Sequence, residues 1–243
     1  MSGLVYGTAG QRLDVYRPGT ASEASPVVLL WHGRGPDERD VLAPLARAAA
    51  CLGITCFVPD WRPDAPDGGR THLRESALFV REHASDFGGD TERIVLAGWS
   101  LGGKAAVAAA LDPGALDGWR PRAVVGIAGG YTRPEPLTGR APLDDLTGLG
   151  QLPPALPVRL IHGTADPVVD AGQSRRLRTA LEQRGWPASL HEPDTDHAGV
   201  IMTEFDPAHG RCRPSLADHA VRGGTLTVQL LARAADFAPD RHS

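Results

Sequence analysis

The sequence predicts an α/β protein built on a mostly parallel sheet, and three observations carry that prediction. Short apolar runs rich in β-branched residues alternate along the chain with longer amphipathic stretches. Several of those runs are almost continuously apolar instead of alternating, which is the pattern of strands covered on both faces. The chain of 243 residues, 42% hydrophobic with 29 glycines, holds ample material for a packed core at a length one α/β domain commonly reaches.

Residues 4–6 and 11–17 (Q-R-L-D-V-Y-R) read as two strands joined by a turn at Thr8-Ala9-Gly10. Buried strands are expected at 26–31 (P-V-V-L-L-W), 54–58 (I-T-C-F-V), 93–97 (R-I-V-L-A), 122–128 (R-A-V-V-G-I-A), 157–161 (P-V-R-L-I) and 187–191 (P-A-S-L-H), giving a sheet of about eight strands. Residues 39–52 look helical, with Pro44 in an early turn where its missing N–H costs little. Leu73, Ala77, Val80, Ala84 and Phe87 recur at steps of 4, 3, 4 and 3, one face of a helix. Ala217, Val221, Gly224, Val228, Leu231 and Ala235 repeat that rhythm, and Gly223-Gly224 should weaken or kink this last helix. Residues 59–71 and 130–156, rich in Pro, Gly and Asp, read as loops, the second long enough for a functional loop or a rudimentary cap. No repeat or linker divides the chain, so residues 1–243 are expected to form a single domain.

Formal charges of +25 and −29 sum to −4, with a pI near 6.1, which argues against nucleic-acid binding because phosphates call for a basic face. No apolar run approaches the roughly 18 residues of a membrane span, so no membrane partner is expected. The first residues, M-S-G-L-V-Y, lack the basic start and apolar core of a signal peptide. Cys51, Cys56 and Cys212 are odd in number and have no metal-type spacing; they read as reduced thiols, and the expected location is the cytoplasm. Asp37, Glu38 and Asp40, and His72 with His83, read as exposed loop and helix surface, so no metal is expected.

The strongest chemical signal is Gly98-Trp99-Ser100-Leu101-Gly102-Gly103, directly after the strand R-I-V-L-A and before the helix-forming A-A-V-A-A-A-L. A G-x-S-x-G in that context is a nucleophile elbow: glycines two before and two after the serine let strand and helix approach without a Cβ clash. The turn holds the hydroxyl at a helix N-terminus, where the Leu101 N–H can donate to a developing oxyanion. The competing reading is a serine that only caps its helix. Lys104 reads as solvated or ion-paired.

With this motif the chain resembles the α/β-hydrolase superfamily over nearly its whole length. It is more closely similar to small microbial carboxylesterases, including the hormone-sensitive-lipase-like group, through L-D-V-Y-R-P-G at 13–19, H-G-R-G at 32–35 and D-W-R-P-D-A-P at 60–66. The G-W-S-x-G-G form also resembles the catalytic domain of prolyl-oligopeptidase-type peptidases. The resemblance implies an α/β-hydrolase fold with a minimal cap, no cofactor, and a small acyl ester as substrate.

It also implies the chain order serine, acid, histidine, which leaves His191, His197, His209, His219 and His242 as possible bases. His197, in D-T-D-H-A-G-V just after the last expected strand, sits where the family's base sits; His209, in P-A-H-G-R, is the second candidate. His191 reads as part of a strand and His219 as helix surface. Asp166, in H-G-T-A-D-P-V-V, matches the family's H-G-x-x-D-x-x-V and is the expected acid. Asp144 and Asp145 follow the preceding strand at a distance, and Asp194 and Asp196 read as solvated or capping. The resembling esterases carry H-G-G-G where this chain has His32-Gly33-Arg34-Gly35, so the second oxyanion N–H comes from Arg34 or Gly35, and Arg34 departs from the glycine pattern. His32 reads as a brace for that loop. Trp31, Trp61 and Trp99 fall near the expected mouth, where apolar walls suit an acyl group, and Trp61 and Trp99 are candidate substrate contacts. The expectation is a serine hydrolase of small carboxylic esters. A small peptidase or amide hydrolase with the same triad, or a non-catalytic ligand-binding protein on this fold, are the alternatives.

Overall fold

A computed structural model describes residues 1–19, 24–148 and 150–236. Eight strands form the central sheet: β1 (Leu4–Val5), β2 (Arg12–Tyr16), β3 (Ser25–Trp31), β4 (Thr55–Pro59), β5 (Gly89–Trp99), β6 (Ala123–Ile127), β7 (Val158–Ile161) and β8 (Ala188–His191), in the order β1-β2-β4-β3-β5-β6-β7-β8. β1 and β2 form an antiparallel pair and β2 lies antiparallel to β4; every pairing from β4 to β8 is parallel.

The near-continuous apolarity of the strands has the expected cause. Along β3, Val27, Leu29 and Trp31 face one core layer while Val28 and Leu30 face the other, so neither set of side chains meets water. The first layer is closed by α2 (Arg70–His83), α3 (Leu101–Leu111), α4 (Pro142–Thr147) and α5 (Gly172–Gln183). The second is closed by α1 (Ala43–Cys51), through Leu45, Ala46 and Ala49, and α6 (Asp218–Ala235), through Val228 and Leu231. The chain leaves β3 for β4 on one side and returns to β5 on the other. The segments after β3 and β5 thus diverge to opposite faces, and a crevice opens at the carboxyl edge between them.

Several elements differ from the sequence expectation. The helix expected over 39–52 begins as a 3-10 turn, Arg39–Leu42, and becomes α-helical at Ala43 with Pro44 in its first turn. The second helical face is split between α2 and a 3-10 turn at Ala84–Phe87. α6 runs unbroken through Gly223 and Gly224. A Cβ on Gly224 would lie 2.1 Å from Met202 Cγ, and one on Gly223 2.7 Å from Thr195 Cγ2. The two glycines thus admit the 3-10 turn Gly199–Ile201 against the helix instead of kinking it. Residues 130–156 contain α4 and bury Tyr131, Leu137, Leu146 and Leu156 in the core, so this segment is a packed connection. A hairpin of β9 (Thr203–Asp206) and β10 (Arg211–Pro214) follows the last sheet strand and was not expected. No helix among the described residues is long and apolar enough to cross a membrane.

Candidate active site

β5 delivers Ser100 into a turn with φ 56° and ψ −116°, a conformation side chains rarely adopt and one that persists only where its surroundings enforce it. Here the enforcement is steric and hydrogen-bonded. A Cβ on Gly98 would sit 2.3 Å from the Gly102 carbonyl, and one on Gly102 2.4 Å from the His32 carbonyl oxygen. The Ser100 N–H donates to the Ile127 carbonyl at 2.8 Å, tying the turn to β6. α3 starts at Leu101, so its first N–H groups, with the positive end of the helix dipole, surround the serine.

The loop after β3 crosses directly above. Gly33 passes so close that a Cβ there would be 2.9 Å from the Trp99 ring and 3.4 Å from Ser100 Cβ. His32 braces this loop. Its Nε2 takes the backbone N–H groups of Trp61 (3.1 Å) and Glu38 (3.3 Å), which fixes the ring proton on Nδ1, 3.1 Å from the Gly33 carbonyl. Complete burial pushes its pKa down to about 3, so the brace is neutral. Of the two candidate oxyanion donors on this loop, Gly35 has the Glu38 carboxylate packed against it. The N–H groups of Arg34 and Leu101 have no partner among the described residues.

Asp166 stands on the loop after β7 and His197 on the loop after β8, and His197 Nδ1 lies 2.7 Å from Asp166 Oδ2. Asp166 Oδ1 accepts the N–H groups of Val168 (2.8 Å) and Val169 (2.9 Å). His162, to which the sequence reading assigned no role, supplies a second ring: its Nε2 is 3.0 Å from Asp166 Oδ2 and 2.9 Å from the Val169 carbonyl. Both of those atoms only accept, so Nε2 carries the proton, and Nδ1 accepts from the Ser174 hydroxyl at 2.7 Å. Burial alone would raise the Asp166 pKa; hydrogen bonds from His162 and His197 outweigh it and hold the carboxyl well below the usual carboxylate range.

Trp99 fixes the backbone at His197, its Nε1–H donating to the His197 carbonyl at 2.9 Å with the two ring centroids 5.0 Å apart. Asp196 Oδ1 accepts from the Ala198 and Gly199 N–H groups, the capping role the sequence allowed it. Ser100 and His197 line one cleft of about 470 Å³, whose apolar walls are Trp99, Pro167, Val168, Ala198, Phe205 and Cys212. Among the described residues no hydrogen bond joins Ser100 Oγ to the His197 ring. A second cleft of about 320 Å³ also opens on Ser100.

Other candidates lie elsewhere. Trp61, expected as a substrate contact, is wholly buried behind His32, stacked on its ring at 5.5 Å and donating to the His32 carbonyl; it lines neither cleft. Trp31 is likewise buried, donating to Ser76. His209 is exposed on the β9–β10 turn beside Asp206. Asp145 pairs with Arg140 on the surface, and His242 lies outside the described residues. Lys104, expected to be solvated or ion-paired, is buried with Nζ 3.0 Å from the Pro134 carbonyl. His72 accepts the Arg62 N–H at 3.2 Å, and the described residues hold no group of three or more His, Cys, Asp or Glu side chains that could hold a metal ion.

No family model matches the chain, and no curated protein matches it in sequence. Solved structures do match. The chain is similar to a thermophilic esterase of the planctomycete Thermogutta terrifontis bound to propionate, at 17% identity and a TM-score of 0.73, over 98% of this chain and 96% of that one. The esterase 2 of the same organism phosphorylated by paraoxon is 18% identical with a TM-score of 0.72, over 98% and 95% of the two chains. A Klebsiella pneumoniae protein assigned as a dienelactone hydrolase is 19% identical with a TM-score of 0.70, over 98% of each chain. At these identities the likeness is one of architecture, and it agrees with the strand order and the elbow described above: the chain has the α/β-hydrolase fold.

Proposed function

We propose that this chain is a serine hydrolase of small carboxylic esters, working through an acyl-enzyme, with Ser100 as nucleophile, His197 as base and Asp166 as the orienting acid. The observation that carries the reading is the 2.7 Å hydrogen bond from His197 Nδ1 to Asp166 Oδ2, beside a serine held at φ 56° between strand and helix. Fixing the proton on Nδ1 leaves Nε2 with a free lone pair, the form that can accept the Ser100 proton.

Ser100 Oγ attacks the ester carbonyl while His197 takes its proton. The tetrahedral oxyanion accepts from the N–H groups of Leu101 and Arg34, which need not reorganise as charge develops. His197 then protonates the leaving oxygen, so the alcohol occupies the apolar cleft that His197 lines and the acyl group the second cleft. Water deacylates the serine by the reverse path. The chemistry calls for no cofactor. Unpaired Cys51, Cys56 and Cys212 support a reducing, cytoplasmic setting, and the chain acts as one domain.

A fluorophosphonate probe should label Ser100, which a ligand-binding protein on this fold would not allow. Ser100→Ala should lose about 10⁶ in kcat and Asp166→Asn about 10⁴. His197→Ala should be inactive, whereas His209→Ala, altering an exposed turn, should keep most of the activity. A Ser100→Ala protein retaining a tenth of its turnover, or an inactive His209→Ala, overturns the assignment.

A further inference from the structure

The two clefts that meet at Ser100 differ in chemistry. The one containing His197 is walled mainly by apolar side chains, with Glu38, Asp196 and Arg211 at its polar side. The other carries Lys104, Arg133, Thr132 and Gln173 beside Leu101 and Val169, with no carboxylate in its wall among the described residues. Arg34 and Val168 stand between the two and line both. Most of the second cleft's donors are unspent. Neither Arg34 nor Arg133 forms an ion pair among the described residues, and both are exposed. Gln173 Oε1 accepts from the Tyr131 and Thr132 N–H groups and the Thr132 hydroxyl, an arrangement that fixes the amide orientation and leaves its NH₂ free. Lys104 is the chain's single lysine against 24 arginines. It is buried in the turn after the nucleophile, with Nζ on the Pro134 carbonyl (3.0 Å) and, longer, on that of Arg133 (3.5 Å). One N–H of its three is left over. The carboxylate that offsets Lys104 is Glu135, itself buried and occupied by the Leu137 and Thr138 N–H groups. Three cations and no carboxylate in its wall leave this cleft with a positive balance.

Resting on the serine-hydrolase reading, we infer that this second cleft binds an anionic group on the acyl half of the substrate, so that the preferred esters are half esters of short dicarboxylic acids. The half of the substrate follows from proton transfer: His197 must reach the leaving oxygen, and it lines the apolar cleft and not this one. Arg34 and Arg133 offer planar forks that match a carboxylate, and the remaining Lys104 N–H and the Gln173 amide complete a donor set with no carboxylate in the cleft wall to compete. Such a group enters without leaving a desolvated cation unpaired, which a neutral acyl chain in the same cleft would do.

The test compares p-nitrophenyl half esters of succinic, glutaric and adipic acid, each against the neutral ester in which an isopropyl group replaces the terminal carboxylate, with spontaneous hydrolysis subtracted. At low ionic strength at least one acidic ester should exceed its neutral counterpart in kcat/KM by about tenfold to a hundredfold, the worth of one or two charge-assisted hydrogen bonds. The ratio should shrink in about 0.5 M NaCl, approach one in Arg133→Gln, and fall below one in Arg133→Glu. Ratios at or below one for all three pairs, with the neutral esters turned over and that turnover lost in Ser100→Ala, overturn this inference and leave the hydrolase reading standing. A high ratio that both Arg133→Gln and Arg34→Gln leave untouched also overturns it. Turnover of none of the six esters, with no fluorophosphonate adduct, overturns both readings.

Discussion

Asp166 Oδ2 receives N–H groups from two imidazoles, of which only His197 opens onto a cleft; His162 is completely buried. This pair and the buried His32 give the molecule two separate acid sensitivities. Asp166 has a folded pKa below its unfolded value, near 3.9, so its stabilising contribution is whole above that pH and is lost as pH falls toward the folded value. His32 has a folded pKa of about 3 against roughly 6.5 unfolded. Between those values the unfolded chain binds the extra proton, so the contribution is whole above about 6.5 and drains as pH falls. The slope approaches 1.4 kcal/mol per pH unit at most, an order-of-magnitude bound set by one proton. Unfolding midpoints measured from pH 7 to pH 4.5 should therefore drop, and should drop less in His32→Gln, whose amide oxygen can still accept one backbone N–H. Equal slopes in the two proteins would show that the loop brace carries no titration.

At the scale of elements, the elbow is the most constrained and the most legible. Its glycines are required by backbone contacts of 2.3 to 2.4 Å at Gly98 and Gly102 that any Cβ would create. Because the obstructing atoms are main chain and cannot rotate away, Gly98→Ala should cost at least the 1–3 kcal/mol typical of overpacking, roughly, and should abolish labelling of Ser100 by pulling strand and helix apart. A variant that folds at full stability and labels at the original rate would mean that the approach is looser than the geometry indicates. The inner strands β3, β4, β6 and β7 were equally legible, since burial on both faces leaves a continuous apolar run, whereas β8, expected to be buried, is half-buried along its length. The β9–β10 hairpin was not. T-E-F-D and R-C-R-P alternate polar and apolar over four residues each, and their pairing is with each other outside the main sheet, so neither length nor periodicity marks them. α5 was also missed: it buries only Ser174, Leu177, Ala180 and Leu181 of its twelve residues, too thin an apolar stripe to stand out. The hairpin matters chemically because it contributes exposed Phe205, with Arg211 and Cys212, to the apolar cleft.

At the scale of the whole molecule, the order of the strands explains why four distant segments meet. Residues 32–35 follow β3, Ser100 follows β5, Asp166 follows β7 and His197 follows β8, and a parallel sheet delivers all of these ends to the same edge. Motif and chain order pointed to Ser100, Asp166 and His197 before any contact was known, and the structure brings His197 Nδ1 onto Asp166 Oδ2 and puts Ser100 and His197 on one cleft. His162 and Lys104 were harder to assign because their roles depend on burial: a histidine at a strand end and a lysine on a helix look alike in sequence whether solvated or enclosed. The same architecture decides how the site treats a neutral acyl chain. The segment over residues 130–156 sinks Tyr131, Leu137, Leu146 and Leu156 into the core, and it presents Gly130, Thr132 and Arg133 to the second cleft, the one proposed for the acyl group. A methylene gains its roughly 0.8 kcal/mol only where an apolar wall takes it out of water, and beside Lys104, Arg133 and Gln173 there is little such wall. Across p-nitrophenyl esters from acetyl to palmitoyl, kept below their micellar limits, kcat/KM should rise to about butyryl and then level off or decline. Enlarging the alcohol should help instead, because it meets Trp99, Val168 and Phe205, and Phe205→Ala should reduce that gain while leaving the acyl profile in shape. A kcat/KM that keeps climbing through decanoyl would mean that the 130–156 segment opens a longer apolar groove during turnover, and that acyl and alcohol halves are assigned to the wrong clefts.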